Sequence, residues 1–156
     1  MTRTWVIPPS LTCPEICLNI REPPLTGDNL GLKTWGTAYF IAKKLEWFGS
    51  TCLNHLIHPG NNNPKLAVLE LGSGTGLVGI ATAAIWGCSV TVTDLPIIQQ
   101  NLYTNVQQNQ PTVHGRGGSL VCKALDWRDP PADLDRYEVC ISPRILFAPP
   151  SSMLHY

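Results

Sequence analysis

Residues 68–80, VLELGSGTGLVGI, set a short apolar run against glycines at 72, 74 and 76. Beyond the glycines, Leu77, Val78, Ile80, Ala81, Ala84 and Ile85 recur at helical spacing as far as the stop at Gly87, and VTVTD at 90–94 is a second strand pattern. Strand, glycine loop, helix and strand in this order make a βαβ unit, which commits the chain to a parallel sheet.

The pattern extends on both sides. Trp35, Ala38, Tyr39, Ala42 and Leu45 fall at steps of three and four, a helix from about residue 34, and the loop HPGNNNP at 58–64 separates it from a first strand over 66–71. After Pro96 a further helix is expected to about Asn109, then strands over 120–125 and 137–142. Residues 1–33 carry PP at 8–9 and 23–24 and TGDN at 26–29, so they are expected to be an extended or hairpin-forming leader. The expected division is a leader over 1–33, an α/β domain over 34–142 and a divergent tail over 143–156.

Composition narrows the function classes. At 156 residues, 44% of them apolar and 14% charged, the chain suits one packed domain. Eleven basic and eleven acidic side chains leave no electrostatic footprint for nucleic acid or an anionic membrane. The N-terminus lacks a secretory h-region and no run is long and apolar enough to span a bilayer, so a soluble cytoplasmic protein is expected. The six cysteines form no C-x-x-C pair and read as structural thiols, and His55 and His58 have no partner pair that would complete a metal site, so no metal is expected.

The glycine loop carries the chemistry. At the carboxyl end of a strand and against a helix N-terminus, free N–H groups favour an anionic group, and absent Cβ atoms let a ligand lie on the backbone. Gly74-Thr-Gly76-Leu-Val-Gly79 also fits the G-x-G-x-x-G dinucleotide fingerprint, which keeps an NAD-dependent oxidoreductase open. In that fingerprint, however, the first glycine follows the strand directly, and here Gly72 does so, giving E-x-G-x-G-x-G from Glu70 to Gly76. This resembles the first motif of the seven-strand methyltransferases, which bind S-adenosylmethionine. The methionine carboxylate would meet the amides of Gly72, Ser73, Gly74, Thr75 and Gly76, and Glu70 would suit its ammonium. Asp94, at the end of the second strand, can accept from ribose hydroxyls in either cofactor, or cap the next helix.

In order along the chain, EPPLTGDNLGLKTWG (22–36), VLELGSGTGLVGI (68–80), VTDLP (92–96), NLYTNVQQN (101–109) and ALDW (124–127) resemble methyltransferase family 16, the METTL-type protein-lysine methyltransferases. LGLKTWG is especially similar to fungal members that methylate translation elongation factors. The resemblance implies a Rossmann-like class I S-adenosylmethionine-dependent fold, helices on both faces of its sheet, and a protein substrate such as an elongation factor. It places Trp35 over the cofactor, Leu95 beside Asp94, and Leu125 to Trp127 by the adenine; Trp35 and Trp127 could equally be core aromatics. Asn101, Asn105 and Asn109 share one helix face, which a solvated surface explains as well as a function does.

Two departures bear on activity. The family's acidic and aromatic positions after the fourth strand correspond here to Arg144 and Phe147. Fourteen residues follow YEVCIS, so the sheet is expected to be incomplete after a fourth strand left as an open edge, in a C-terminally truncated chain. The readings left open are an active lysine methyltransferase, an inactive cofactor- or partner-binding fragment, a small-molecule methyltransferase and an oxidoreductase.

Overall fold

The computed structural model describes residues 1–24, 30–57, 66–130, 132–142 and 145–147, the last three as backbone only. The TGDN run, the 58–64 loop with His58, and Arg144 lie outside the described residues. The elements are β1 (Thr2–Ile7), β2 (Ile16–Arg21), α1 (Gly36–Thr51), α2 (Asn54–Ile57), β3 (Ala67–Leu71), α3 (Leu77–Trp86), β4 (Ser89–Asp94), α4 (Pro96–His114), β5 (Ser119–Ala124), β6 (Val139–Ser142) and β7 (Ile145–Phe147).

The main sheet runs β5-β4-β3-β6-β7. Its first four strands are parallel, and β7 joins β6 antiparallel through Cys140↔Phe147 and Ser142↔Ile145. This is the expected α/β sheet of four parallel strands flanked by helices, with one correction: β6 is not an open edge, because Ile145–Phe147 pairs its outer side. An antiparallel neighbour needs no crossover helix, so the ladder can continue directly from β6 to β7.

Side-chain alternation decides what each face meets. Val68, Val90, Val92, Leu120, Val139 and Ile141 point to one face and share a hydrophobic cluster with Leu45 of α1, Leu77 and Ile80 of α3, and Leu102 and Val106 of α4. From Leu77 to Ala84 every residue of α3 is buried, which explains why it is apolar all round. Gly49 of α1 leaves room for Trp86, whose indole N–H donates to the Leu45 carbonyl at 2.9 Å.

The N-terminal hairpin enters the same cluster. Thr2↔Arg21 through Ile7↔Ile16 pair antiparallel, and the alternation in ICLNIR buries Ile16, Leu18 and Ile20. Burial of three such side chains stabilises by about 1.5–3 kcal/mol each.

The helix expected to end near Asn109 continues to His114, through Pro111. Pro111 and Gln107, whose carbonyl loses its bonding partner, both lie on the exposed side, where water replaces the missing bond. Among the described residues, no helix is long and apolar enough to cross a membrane.

Candidate functional site

Gly72 follows β3 directly, as the register of the glycine motif requires. Gly72 and Gly74 have φ of 66° and 57°, the left-handed region that favours glycine. A Cβ at Gly72 would stand 3.3 Å from the Trp127 ring, and one at Gly74 would stand 2.9 Å from the Gly31 carbonyl oxygen. The loop is therefore bare for two reasons, its turn and the close approach of neighbouring segments.

Two cavities meet on this loop. One of about 640 Å³ is lined by Leu71, Gly72, Asp94, Leu95, Leu125, Asp126, Trp127, Arg128 and Ser142. The other, of about 480 Å³, is lined by Gly31, Lys33, Thr34, Trp35, Thr37, Ala38, Gly72, Ser73, Gly74, Thr75 and Asp94. Gly72 and Asp94 belong to both.

Asp94 is aimed by the backbone. Its Oδ2 accepts the Gly74 N–H at 2.6 Å and its Oδ1 accepts the Leu95 N–H at 2.7 Å. It does not cap α4, whose N-cap is Leu95. Ser73 braces the loop from below, taking the Thr93 N–H on its hydroxyl while its own N–H donates to the Thr93 carbonyl. Trp35 and Trp127 are 54% and 59% exposed, so neither is a core aromatic; each lines a cavity. Beside Trp127, the side chain and amide of Arg128 hold the exposed Asp126 carboxyl down at about 2.

Nine of the eleven expected cofactor residues thus line the paired cavities, and two do not. Gly76, φ 85°, is the N-cap of α3. Glu70 is 0% exposed, and its Oε2 accepts the Gly79 N–H at 3.1 Å. Sequence reasoning puts Glu70 toward a ligand ammonium, usually through water; in the structure strand alternation places it with Val68 and Val92 on the helix side of the sheet, outside both cavities. Burial pushes its carboxyl up to about 8, opposed by the Ser73 hydroxyl and the Gly79 amide. Its other oxygen, Oε1, is buried with no hydrogen-bond partner. Gly79 is small because Glu70 and Val92 occupy the space of a side chain.

Sequence reasoning also missed residues. Lys33, Thr34 and Thr37 line the smaller cavity around Trp35, and their proximity to Trp35 in LGLKTWGT was the available signal. Arg128 and Ser142 line the larger one, beside Asp126 of the Leu125–Trp127 segment expected there. Asn101, Asn105 and Asn109 are buried rather than solvated. Phe147 is placed only as a residue of β7. Among the described residues no group of three His, Cys, Asp or Glu could hold a metal ion.

The parallel sheet with a glycine loop at the carboxyl end of its central strand defines the class first, a Rossmann-like α/β fold. A family profile described as lysine methyltransferase matches residues 13–141. The chain is 38% identical over 125 residues to protein-lysine N-methyltransferase rrg1 of Schizosaccharomyces pombe, an alignment covering 80% of this chain and 37% of rrg1. It is 36% identical over 129 residues to protein-lysine N-methyltransferase EFM2 of Saccharomyces cerevisiae, covering 76% of this chain and 29% of EFM2. Over 60 residues it is 48% identical to EEF1A lysine methyltransferase 3 of Mus musculus. The chain belongs to the lysine methyltransferase family. It spans about a third of the length of the first two relatives.

Proposed function

We propose that the paired cavities bind S-adenosylmethionine and that the chain is the cofactor-binding part of a cytoplasmic protein-lysine methyltransferase. The carrying observation is the junction at Gly72 and Asp94, where a bare backbone and an aimed carboxylate separate two cavities of unequal size. The larger cavity, with Leu95, Leu125 and Trp127, suits an adenine and its ribose; the smaller, with Ser73, Gly74, Thr75 and the Lys33 ammonium, suits an amino-acid end. Asp94 would accept the ribose hydroxyls between them. Family membership implies dependence on this cofactor, which supplies a methyl group on a sulfonium. The names of EEF1A lysine methyltransferase 3 and of the two fungal relatives support a protein lysine as acceptor, with a translation elongation factor as the first substrate to try.

The chain's own residues would work by positioning, holding the donor in line with a neutral lysine amine. A second reading, an inactive cofactor- or partner-binding fragment, is favoured by one sequence fact: Arg144 stands where the family's acid is expected, and a cation there repels a lysine substrate.

Calorimetric titration with S-adenosylhomocysteine tests the cofactor reading, with Asp94→Ala as control. Binding by the chain and at least about tenfold weaker binding by the variant support it. A folded chain that does not bind overturns it. A radiolabelled methyl assay on elongation factor then separates the two readings, since labelled substrate excludes the inactive one.

A further inference from the structure

Three asparagines of α4 treat an exposed strand as a ladder partner. A carboxamide carries both a donor and an acceptor, so it can pair the N–H and C=O of one strand residue. Asn109 accepts the Asn19 N–H at 2.9 Å and donates to the Asn19 carbonyl at 2.8 Å. Asn105 does the same to Arg21, accepting at 2.7 Å and donating at 3.2 Å, and Asn101 donates to the Arg21 carbonyl at 3.1 Å.

Asn105 makes one contact the others do not. Its Nδ2 also donates to the Thr75 carbonyl at 2.9 Å, inside the glycine loop. From there a ring of contacts closes. The Thr75 hydroxyl meets the Thr34 hydroxyl at 2.8 Å, the Thr34 N–H donates to Glu22 Oε1 at 3.2 Å, and Glu22 follows Arg21, which Asn105 already holds. Thr34, Thr75 and Asn105 are all buried, where an unmade hydrogen bond is expensive and a made one is rigid.

We propose that Asn105 is a positioning residue for the glycine loop, acting with Thr34 to couple the N-terminal hairpin to the shape of the loop that meets the ligand. The role in ligand binding rests on the cofactor reading above; the tether itself does not. Asn105 lines neither of the two cavities on the glycine loop, so it acts through Thr75. The hairpin is thereby a part of the binding apparatus, although none of its strand residues lines either cavity. Its removal or displacement would be felt as a loosened loop.

The experiment compares Asn105→Ala, Thr34→Val and Asn109→Ala in the full chain. Asn109 serves as control because it holds the same strand from the same helix face without reaching the loop. Amide hydrogen exchange over residues 73–76 is followed in the unliganded protein, together with S-adenosylhomocysteine affinity and melting temperature. Exchange about tenfold faster in Asn105→Ala and Thr34→Val, with affinity about tenfold weaker and Asn109→Ala like wild type in both per folded molecule, is the expected result. Unchanged loop exchange in both loop-linked variants overturns the proposal, as does an equal change in Asn109→Ala. If Asn105→Ala does not fold, Thr34→Val, nearly isosteric, decides alone. The expected exchange pattern in a chain that binds no S-adenosylhomocysteine overturns the cofactor reading and leaves the tether standing.

Discussion

The glycine loop and the seam between β2 and α4 treat the same peptide groups in opposite ways. In the loop, side chains are stripped so that backbone is presented to a cavity at Gly72 and Gly74. Along the seam, side chains are added so that backbone is used up: the amides and carbonyls of Asn19 and Arg21 are paired by Asn109 and Asn105. A β-strand with no neighbour on one side is a template for unwanted pairing, and the asparagine row blocks it. The difference teaches that the same peptide groups are presented at one place, where a cavity meets them, and used up at another, where side chains pair them.

The strongest way to break the comparison is to put a side chain back into the loop. Gly74→Val forces a β-branched residue to φ 57° and toward the Gly31 carbonyl, so a loss of about 2–4 kcal/mol in urea unfolding is expected, with ligand binding abolished in the folded fraction. Wild-type affinity in that variant would show that the loop's bareness serves only its turn.

On the seam the expected effect is smaller and of another kind. Asn109→Ala leaves the Asn19 amide and carbonyl without partners, about 1–3 kcal/mol of stability, while the affinity of the folded molecule stays as it was. Soluble oligomers seen by light scattering would confirm that the blocked strand has become a pairing edge.

Set apart by its pH signature is Glu70→Gln. Glu70 has a folded-state value of about 8 against an ordinary carboxyl near 4.5, so the folded state holds a proton that the unfolded state has released. Its contribution is fully present below about pH 4.5 and is lost as pH rises toward 8. The melting temperature of the wild-type chain should fall across that window, and the fall should be shallower in Glu70→Gln. Parallel melting profiles would remove Glu70 as the cause.

How far the sequence was legible follows the same division. The βαβ unit could be read because apolar period and glycine register are local, and Gly72, Asp94, Leu125 and Trp127 arrive where motif spacing puts them. The burial of Glu70 was not legible because its motif neighbours face the loop, while the pleat turns each strand residue to the side opposite its predecessor. The asparagines were illegible for a different reason. Polar residues at i, i+4 and i+8 look alike whether they face water or another strand, and the strand they hold lies 80 to 90 residues earlier. The fourth helix likewise runs on past the expected end near Asn109, since a helix tolerates Pro111 where the lost bond faces solvent.

The order β5-β4-β3-β6-β7 has one further consequence. From β3 the chain winds outward to β4 and β5 on one side, then returns to lay β6 on the other, so the strand order reverses between β3 and β6. A crevice at such a topological switch point is produced by the winding itself, before any side chain is chosen. The address of the site is thus inherited from the path of the chain, and the glycines, Asp94 and the two tryptophans only decide what is received there.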